Sequence, residues 1–153
     1  MENLKNIKYN AYPEIILHDS TIEKIVYEDN ELRWYLKDYG FAVKAEDGRY
    51  YYTNNGLLIM KIEDKYDVQP YIGSYISSID KYAYFEINLQ EMIKILNSHQ
   101  NHCEMVDELY ASGELIYRIF VGRKKGENQY ITVKIDTSKV EYRWDEINYD
   151  NPF

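Results

Sequence analysis

The pattern of apolar and polar residues predicts one helix in a chain that otherwise alternates like β-strands. After Asn88, apolar residues recur at i, i+3, i+4 and i+7, a spacing that places them on one face of a helix. These residues are Leu89, Met92, Ile93 and Leu96. Asn88 and Glu91 are spaced as in a capping box, in which each side chain bonds the other residue's backbone amide. We therefore expect the main helix near residues 88–98.

Two-residue alternation predicts strands before this helix. Leu32, Trp34 and Leu36 alternate with polar or amphipathic residues, as in a half-buried strand. Pairs of turn-forming residues separate this run and its neighbours, and such pairs are strong hairpin signals. They are Asp29-Asn30, Asp47-Gly48 and Asn55-Gly56. Residues 21–62 are therefore expected to form an antiparallel meander of about five strands.

The pattern is less regular between residues 63 and 80, where Pro70 and Gly73 interrupt it, and a strand at 81–87 then leads into the helix. After the helix, residues 104–110 and 114–121 are expected to pair around Ser112-Gly113. Further strands are expected at 130–135 and 140–144.

These elements predict a mainly β (α+β) fold, an antiparallel meander or sandwich of about nine or ten strands with one main helix covering a sheet face. We expect a single domain over 1–153, with 1–13 and 148–153 as loosely ordered arms. The residues expected to be largely buried are Leu32, Trp34, Leu36, Leu89, Met92, Ile93, Leu96, Ile131, Val133, Trp144 and one alternating set within 115–121.

The charge of the chain bears on its partners. Eighteen Lys and Arg residues against 26 Asp and Glu residues give a formal net charge of −8. A field of this sign repels the phosphates of nucleic acid and favours a basic protein as partner. It also serves solubility alone, and composition does not separate the two roles.

Acidic residues recur at the predicted turns and strand ends, where solvated carboxylates are common. If these turns lie along one rim, they provide a surface for a basic partner. The candidate partner-binding residues are Glu28, Asp29, Glu31, Glu46, Asp47, Glu63 and Asp64.

An enzymatic alternative centres on His99, His102 and Cys103, which follow the predicted helix. Two imidazoles and a thiol could supply three zinc ligands for a metal-dependent hydrolase or a metal-binding protein. A fourth ligand would have to be His18 or a carboxylate such as Glu104. The structural alternative is a polar helix end followed by a strand with a half-buried cysteine.

A second alternative is carbohydrate binding, since 18 of the residues are tyrosines and exposed rings can stack on sugars. The sequence contains no glycine-rich phosphate loop and no dinucleotide fingerprint, and we expect no cofactor. The first residues have no long apolar core and no run reaches membrane-spanning length, so we expect a cytoplasmic protein that does not contact a membrane.

Residues 17–36 carry a resemblance to a known group of proteins. Leu17-His18-Asp19-Ser20-Thr21-Ile22, then Ile25, a turn and Leu32-Arg33-Trp34-Tyr35-Leu36 together resemble the opening of small uncharacterised bacterial proteins. Some of these are grouped with the immunity proteins of polymorphic toxin systems. The resemblance names no catalytic residue, and it implies a non-enzymatic protein that binds and blocks a toxin.

Overall fold

A computed structural model describes residues 4–111 and 113–153. The described chain is mainly β, with two antiparallel sheets and a single α-helix, which confirms the predicted fold class. The helix α1 spans Leu89–Leu96. The strands are β1 (Asn6–Tyr9), β2 (Ile15–Ile16), β3 (Thr21–Glu28), β4 (Glu31–Lys37), β5 (Ala42–Lys44), β6 (Tyr50–Thr53), β7 (Gly56–Lys61), β8 (Val68–Ile76), β9 (Lys81–Glu86), β10 (Asn101–Ala111), β11 (Glu114–Arg123), β12 (Gln129–Asp136), β13 (Val140–Trp144) and β14 (Ile147–Pro152).

The larger sheet has ten strands in the order β1-β13-β7-β4-β3-β10-β11-β12-β8-β9. It bends so that its two halves face each other across one core, because Trp34 of β4 meets Tyr117 of β11 edge to face at 5.7 Å. The smaller sheet, β14-β6-β5-β2, packs against the larger one through Phe41, the residue before β5, whose ring meets Tyr142 and Trp144 of β13. The result is a sandwich-like arrangement in which one sheet supplies both layers.

Helix α1 lies beside the junction of these two halves. Strands β3 and β10 pair only through two residues each, and α1 contacts β3, β8 and β10. After the helix, the Asn97 side chain accepts a hydrogen bond from the Ile25 N–H (2.8 Å) and donates one to the Ile25 carbonyl (2.9 Å). Asn97 thus satisfies backbone groups of β3 where β10 has diverged from it. At the other end, the Asn88 side chain caps the Glu91 N–H at 2.8 Å, as the sequence predicted.

Most predicted hairpins are present. Asp29 and Asn30 both have positive φ (54° and 58°) and join β3 to β4, a conformation that suits a tight turn. Asp47-Gly48 joins β5 to β6, and β10 pairs with β11 across the predicted turn, of which Ser112 lies outside the described residues.

The Asn55-Gly56 hairpin is the prediction that the structure corrects. Strand β6 belongs to the small sheet and β7 to the large one, so the chain crosses between sheets at this point. The five strands predicted over 21–62 are all present, but they do not form one continuous meander. Gly56 is needed for packing, since a Cβ there would lie 2.5 Å from a ring carbon of Phe41.

Fourteen strands are described where about nine or ten were expected. One source of the difference is β8, which contains both Pro70 and Gly73 and was expected to be irregular. The carbonyl of Pro70 still accepts a hydrogen bond from Ile87 N (3.1 Å). The ring of Tyr84 lies where a Gly73 side chain would be, 2.7 Å from an ideal Cβ. An aromatic ring therefore fills the gap that the glycine leaves.

The two expected arms and the two-residue strand β2 account for the remaining difference. Strand β1 pairs with β13 over four residues, and β14 pairs with β6. Both are edge strands with little apolar alternation, because most of their side chains face solvent. Periodicity alone could not detect them.

The predicted core is confirmed with one exception. The buried alternating set in β11 is Leu115, Tyr117, Ile119 and Val121. Ile93 is only partly buried, since it lies at the margin of the helix face.

Candidate protein-binding surface

Two chain segments bring most of the predicted acidic residues to one end of the large sheet. The β3–β4 turn carries the first group, and the segment after β7 carries the second. The Asn30 carbonyl accepts a hydrogen bond from Ile62 N (2.8 Å), and Glu31 pairs with Lys61 in the β4–β7 register. We call the resulting group the acidic rim, which consists of Glu28, Asp29, Glu31, Glu63, Asp64 and Asp67.

Few cations of the chain neutralise the acidic rim. Arg33 bonds Glu31 at 2.9 Å, and Lys61 lies 3.7 Å from Glu63. The other four rim carboxylates make no salt bridge within the described part of the chain. Asp64 instead accepts the Tyr66 N–H at 2.9 Å, capping a short 3-10 helix over Lys65–Asp67. The rim therefore presents uncompensated negative charge to solvent.

A groove of about 500 Å³ opens beside the acidic rim. Its walls come from the end of β3, the 3-10 helix, the start of β8 and the first turn of α1, and include Tyr27, Tyr66, Pro70 and Glu86. The Lys65 ammonium lies 5.2 Å from the centre of the Tyr66 ring, within range of a cation–π contact. The groove thus joins apolar walls and a carboxylate to the charged rim, a combination that suits a protein ligand.

Glu46 and Asp47 do not join this group. They lie on the β5–β6 turn of the small sheet, where Asp47 accepts hydrogen bonds from the Tyr51 hydroxyl (2.6 Å) and the Arg49 N–H (2.9 Å). These two bonds lower the pKa of Asp47. The acidic candidates therefore divide into a rim of the large sheet and a separate turn.

The structure does not bring His99, His102 and Cys103 together. His102 and Cys103 are successive residues of β10, so their side chains point to opposite faces of the strand. The His102 Nε2 lies 2.8 Å from a Glu104 carboxylate oxygen in solvent, whereas Cys103 is buried. Burial raises the pKa of the Cys103 thiol to about 11. Among the described residues, no group of three or more His, Cys, Asp or Glu side chains is arranged to hold a metal ion.

Glu108 is a residue of interest that the sequence did not indicate. A β-bulge between Met105 and Asp107 changes the alternation of β10, which directs Glu108 inward and leaves Leu109 62% exposed. Glu108 then lies opposite Tyr117 in the β10–β11 register and accepts the Leu17 N–H at 3.0 Å. No periodic signal could reveal this, because the bulge reverses the period within the strand.

Glu108 lies in an unusually apolar setting. Burial raises the pKa of its carboxyl to about 7, even though the Leu17 N–H opposes the shift. Burial likewise raises the pKa of the Tyr117 and Tyr142 hydroxyls well above the usual value, and the Glu108 charge adds to the effect. Both hydroxyls lack a hydrogen-bond partner within residues 4–111 and 113–153. Glu108 itself is partly buried, so the group is a titratable cluster at the margin of the core, remote in sequence from the acidic rim.

Strands β8 and β9 carry three exposed tyrosines, Tyr71, Tyr82 and Tyr84. Tyr82 and Tyr84 stack at 6.5 Å with an interplanar angle of 28°, and Tyr75 lies 5.5 Å from Tyr82. On the same sheet face, Phe120 and Tyr130 are neighbours at 5.6 Å. The outer face of this half of the sheet therefore carries a band of aromatic rings.

Comparisons with known proteins give this chain no relatives. No family model matches it, and neither the curated proteins nor the solved structures contain a match. Within the described residues, no helix is both long enough and apolar enough to cross a membrane.

Proposed function

We propose that this protein is a non-enzymatic module that captures a basic protein at its acidic rim. The observation that carries the proposal is the convergence of six carboxylates from two chain segments at one end of the large sheet. Within the described residues, four cations lie beside them: Arg33, Lys61, Lys65 and Lys139. Uncompensated charge at this density attracts a partner of opposite sign and raises the rate of encounter.

The groove beside the acidic rim supplies a surface for packing, which charge alone does not provide. Affinity in protein complexes comes mainly from a few buried aromatic or arginine anchors, whereas rim charges steer and select. The exposed Tyr66 and the half-buried Tyr27 form walls against which such an anchor can pack. The rim and the groove together therefore provide both parts of a binding surface.

The partner that we propose is a toxin domain. The resemblance of residues 17–36 to the opening of proteins grouped with immunity proteins supports this identity, and a basic toxin domain has the charge that the rim favours. Binding would block the toxin by covering its functional surface, without a chemical step.

The proposal is tested with two variants of equal charge. The rim variant carries Glu28→Gln, Asp29→Asn, Glu63→Gln and Asp64→Asn. The control variant carries the same number of neutralised carboxylates away from the rim, at Glu46, Glu127, Glu146 and Asp150, all of which are exposed. Each protein is used to capture partners from the source cells, and captured proteins are identified and purified.

We expect the wild-type and control proteins to capture the same basic protein and the rim variant to lose it. Co-expression with that protein should then restore the growth of cells that it inhibits. Equal loss of the captured protein in both variants would contradict the proposal, because it would show that net charge matters and its position does not. An acidic partner, or retention by the rim variant, would contradict the proposal.

A further inference from the structure

Strand β9 forms an open edge of the large sheet, and almost all of its side chains face solvent. It is the last strand in the sheet order, and among the described strands it pairs only with β8. Tyr82, Tyr84 and Phe85 are 52%, 65% and 56% exposed, so both faces of the strand carry uncovered rings. Open edges of this kind are templates for pairing with another chain, and proteins usually shield them.

The hydrogen-bond pattern identifies the free backbone groups of β9. The Ile87 N–H bonds the Pro70 carbonyl at 3.1 Å, which makes this a hydrogen-bonded pair of the antiparallel ladder. Such pairs alternate with pairs that bond outward. Ala83 and Phe85 therefore bond to β8, and the N–H and C=O groups of Tyr82, Tyr84 and Glu86 point to the open edge.

This edge leads into the groove that opens beside the acidic rim. Glu86 ends β9 and lines the groove, together with Ile87 on one side and Lys65 and Tyr66 of the rim segment on the other. The Glu86 carboxylate has no salt bridge within the described residues. A segment lying along β9 would therefore run into the groove and towards the negative rim.

Two other arrangements are less favourable. Strand β1 is the other edge of the large sheet, but it has only four residues, and its Lys8 already pairs with Glu14. A second copy of the chain on β9 would bring together two molecules of charge −8, which repel each other. Charge complementarity instead favours a basic segment.

We propose that an extended, basic segment of the partner adds to the edge of β9 as an eleventh strand of the large sheet. This inference rests on the proposed function and specifies how the partner is held. Main-chain bonds to Tyr82, Tyr84 and Glu86 would give affinity, as in other cases of strand addition. A Lys or Arg of the segment would lie beside Glu86, and its neighbours would cover the rings of Tyr82 and Tyr84.

Proline at an outward-bonding position tests the inference. Tyr84→Pro removes the outward N–H without breaking a bond to β8, since proline is tolerated where the donor faces solvent. Tyr84→Ala is the matched control, because it removes the same ring and keeps the N–H. Tyr82→Pro and Tyr82→Ala form a second pair, to be used if Tyr84→Pro loses the amide-exchange protection of Ala83 and Phe85.

The probe is a peptide of alternating lysine and valine with blocked ends, and the same peptide with glutamate in place of lysine is its control. We expect the lysine peptide to slow amide hydrogen exchange at Tyr82, Tyr84 and Glu86 and to leave Ala83 and Phe85 unchanged. Binding should weaken by about tenfold more in the proline variant than in the alanine variant, the effect of roughly one lost backbone hydrogen bond.

Several results would overturn the inference. Equal losses of peptide binding in the proline and alanine variants would mean that the peptide contacts the tyrosine side chain and not the backbone edge of β9. Self-association that the proline variant abolishes would identify a second copy as the occupant, and quenching of tyrosine fluorescence by a glycan, without peptide binding, would identify a sugar. If the rim variant loses the captured basic protein while proline and alanine variants retain it equally, the proposed function stands and the edge inference fails.

Discussion

Replacing Glu108 with glutamine should stabilise the protein above neutral pH. Burial raises the pKa of this carboxyl from the ordinary 4.5 to about 7. Between these values the folded protein binds a proton that the unfolded chain does not, so stability falls as pH rises through this window. Below pH 4.5 the Glu108 carboxyl is protonated in both the folded and the unfolded state, so it does not lower the free energy of unfolding. Above about pH 7 the penalty is complete.

The magnitude follows from the size of the pKa difference. A difference of about 2.5 units, at roughly 1.4 kcal/mol per unit, gives about 3 kcal/mol. Glutamine has the same shape and keeps an acceptor for the Leu17 N–H, but it carries no charge at any pH. The variant should therefore gain about 3 kcal/mol over the wild type at high pH, which corresponds to about 6–12 °C in melting temperature.

Urea unfolding of both proteins across the pH window measures this difference. The gain should be near zero at about pH 4 and should grow through neutrality to its full value at about pH 8. Asp107→Asn is the matched control, because this neighbouring carboxylate faces solvent beside Arg118. A gain that is independent of pH, or a glutamine variant less stable than the wild type at high pH, would refute the assignment of Glu108 as a partly buried, destabilising charge.

Three further predictions concern the fold. Asn97→Ala should cost about 1–3 kcal/mol in urea unfolding and should speed amide exchange at Ile25, since it leaves both backbone groups of Ile25 without their partner. Unchanged exchange at Ile25 would contradict the role of Asn97. Gly56→Ala should destabilise by about 1–3 kcal/mol, because the new methyl group would lie 2.5 Å from the Phe41 ring; unchanged stability would show that the ring moves freely. Cys103 should resist thiol reagents in the folded protein and react after unfolding, since its pKa is raised to about 11. Rapid labelling of the native protein would contradict its burial.

The parts of the fold that follow from local chemistry could be predicted from the sequence. The spacing of Leu89, Met92 and Leu96 marks the helix face because those residues meet the core directly. Asp29 and Asn30 mark a turn because they tolerate positive φ. In each case the responsible interaction involves residues that are close in sequence.

The parts that depend on distant residues could not be predicted. Position 56 requires glycine because a Cβ there would clash with the ring of Phe41. Gly73 is accommodated in β8 because the ring of Tyr84 covers it. The inward direction of Glu108 depends on a bulge that has no sequence signature. Sequence spacing placed three acidic segments among the candidates, but only pairing between β4 and β7 decides that Glu31 lies near Glu63 and not near Glu46.

The central claim, that the acidic rim captures a basic partner, is tested most directly by association kinetics. The measurement is the association rate constant of the purified partner with the wild-type protein, the rim variant and the equal-charge control variant, at about 50 mM and about 500 mM salt. We predict that the wild-type and control rates are similar and high at low salt, and that the rim variant is slower by about tenfold. At high salt the three rates should converge. Equal rates for the rim and control variants at low salt, or a wild-type rate that does not respond to salt, would contradict the claim.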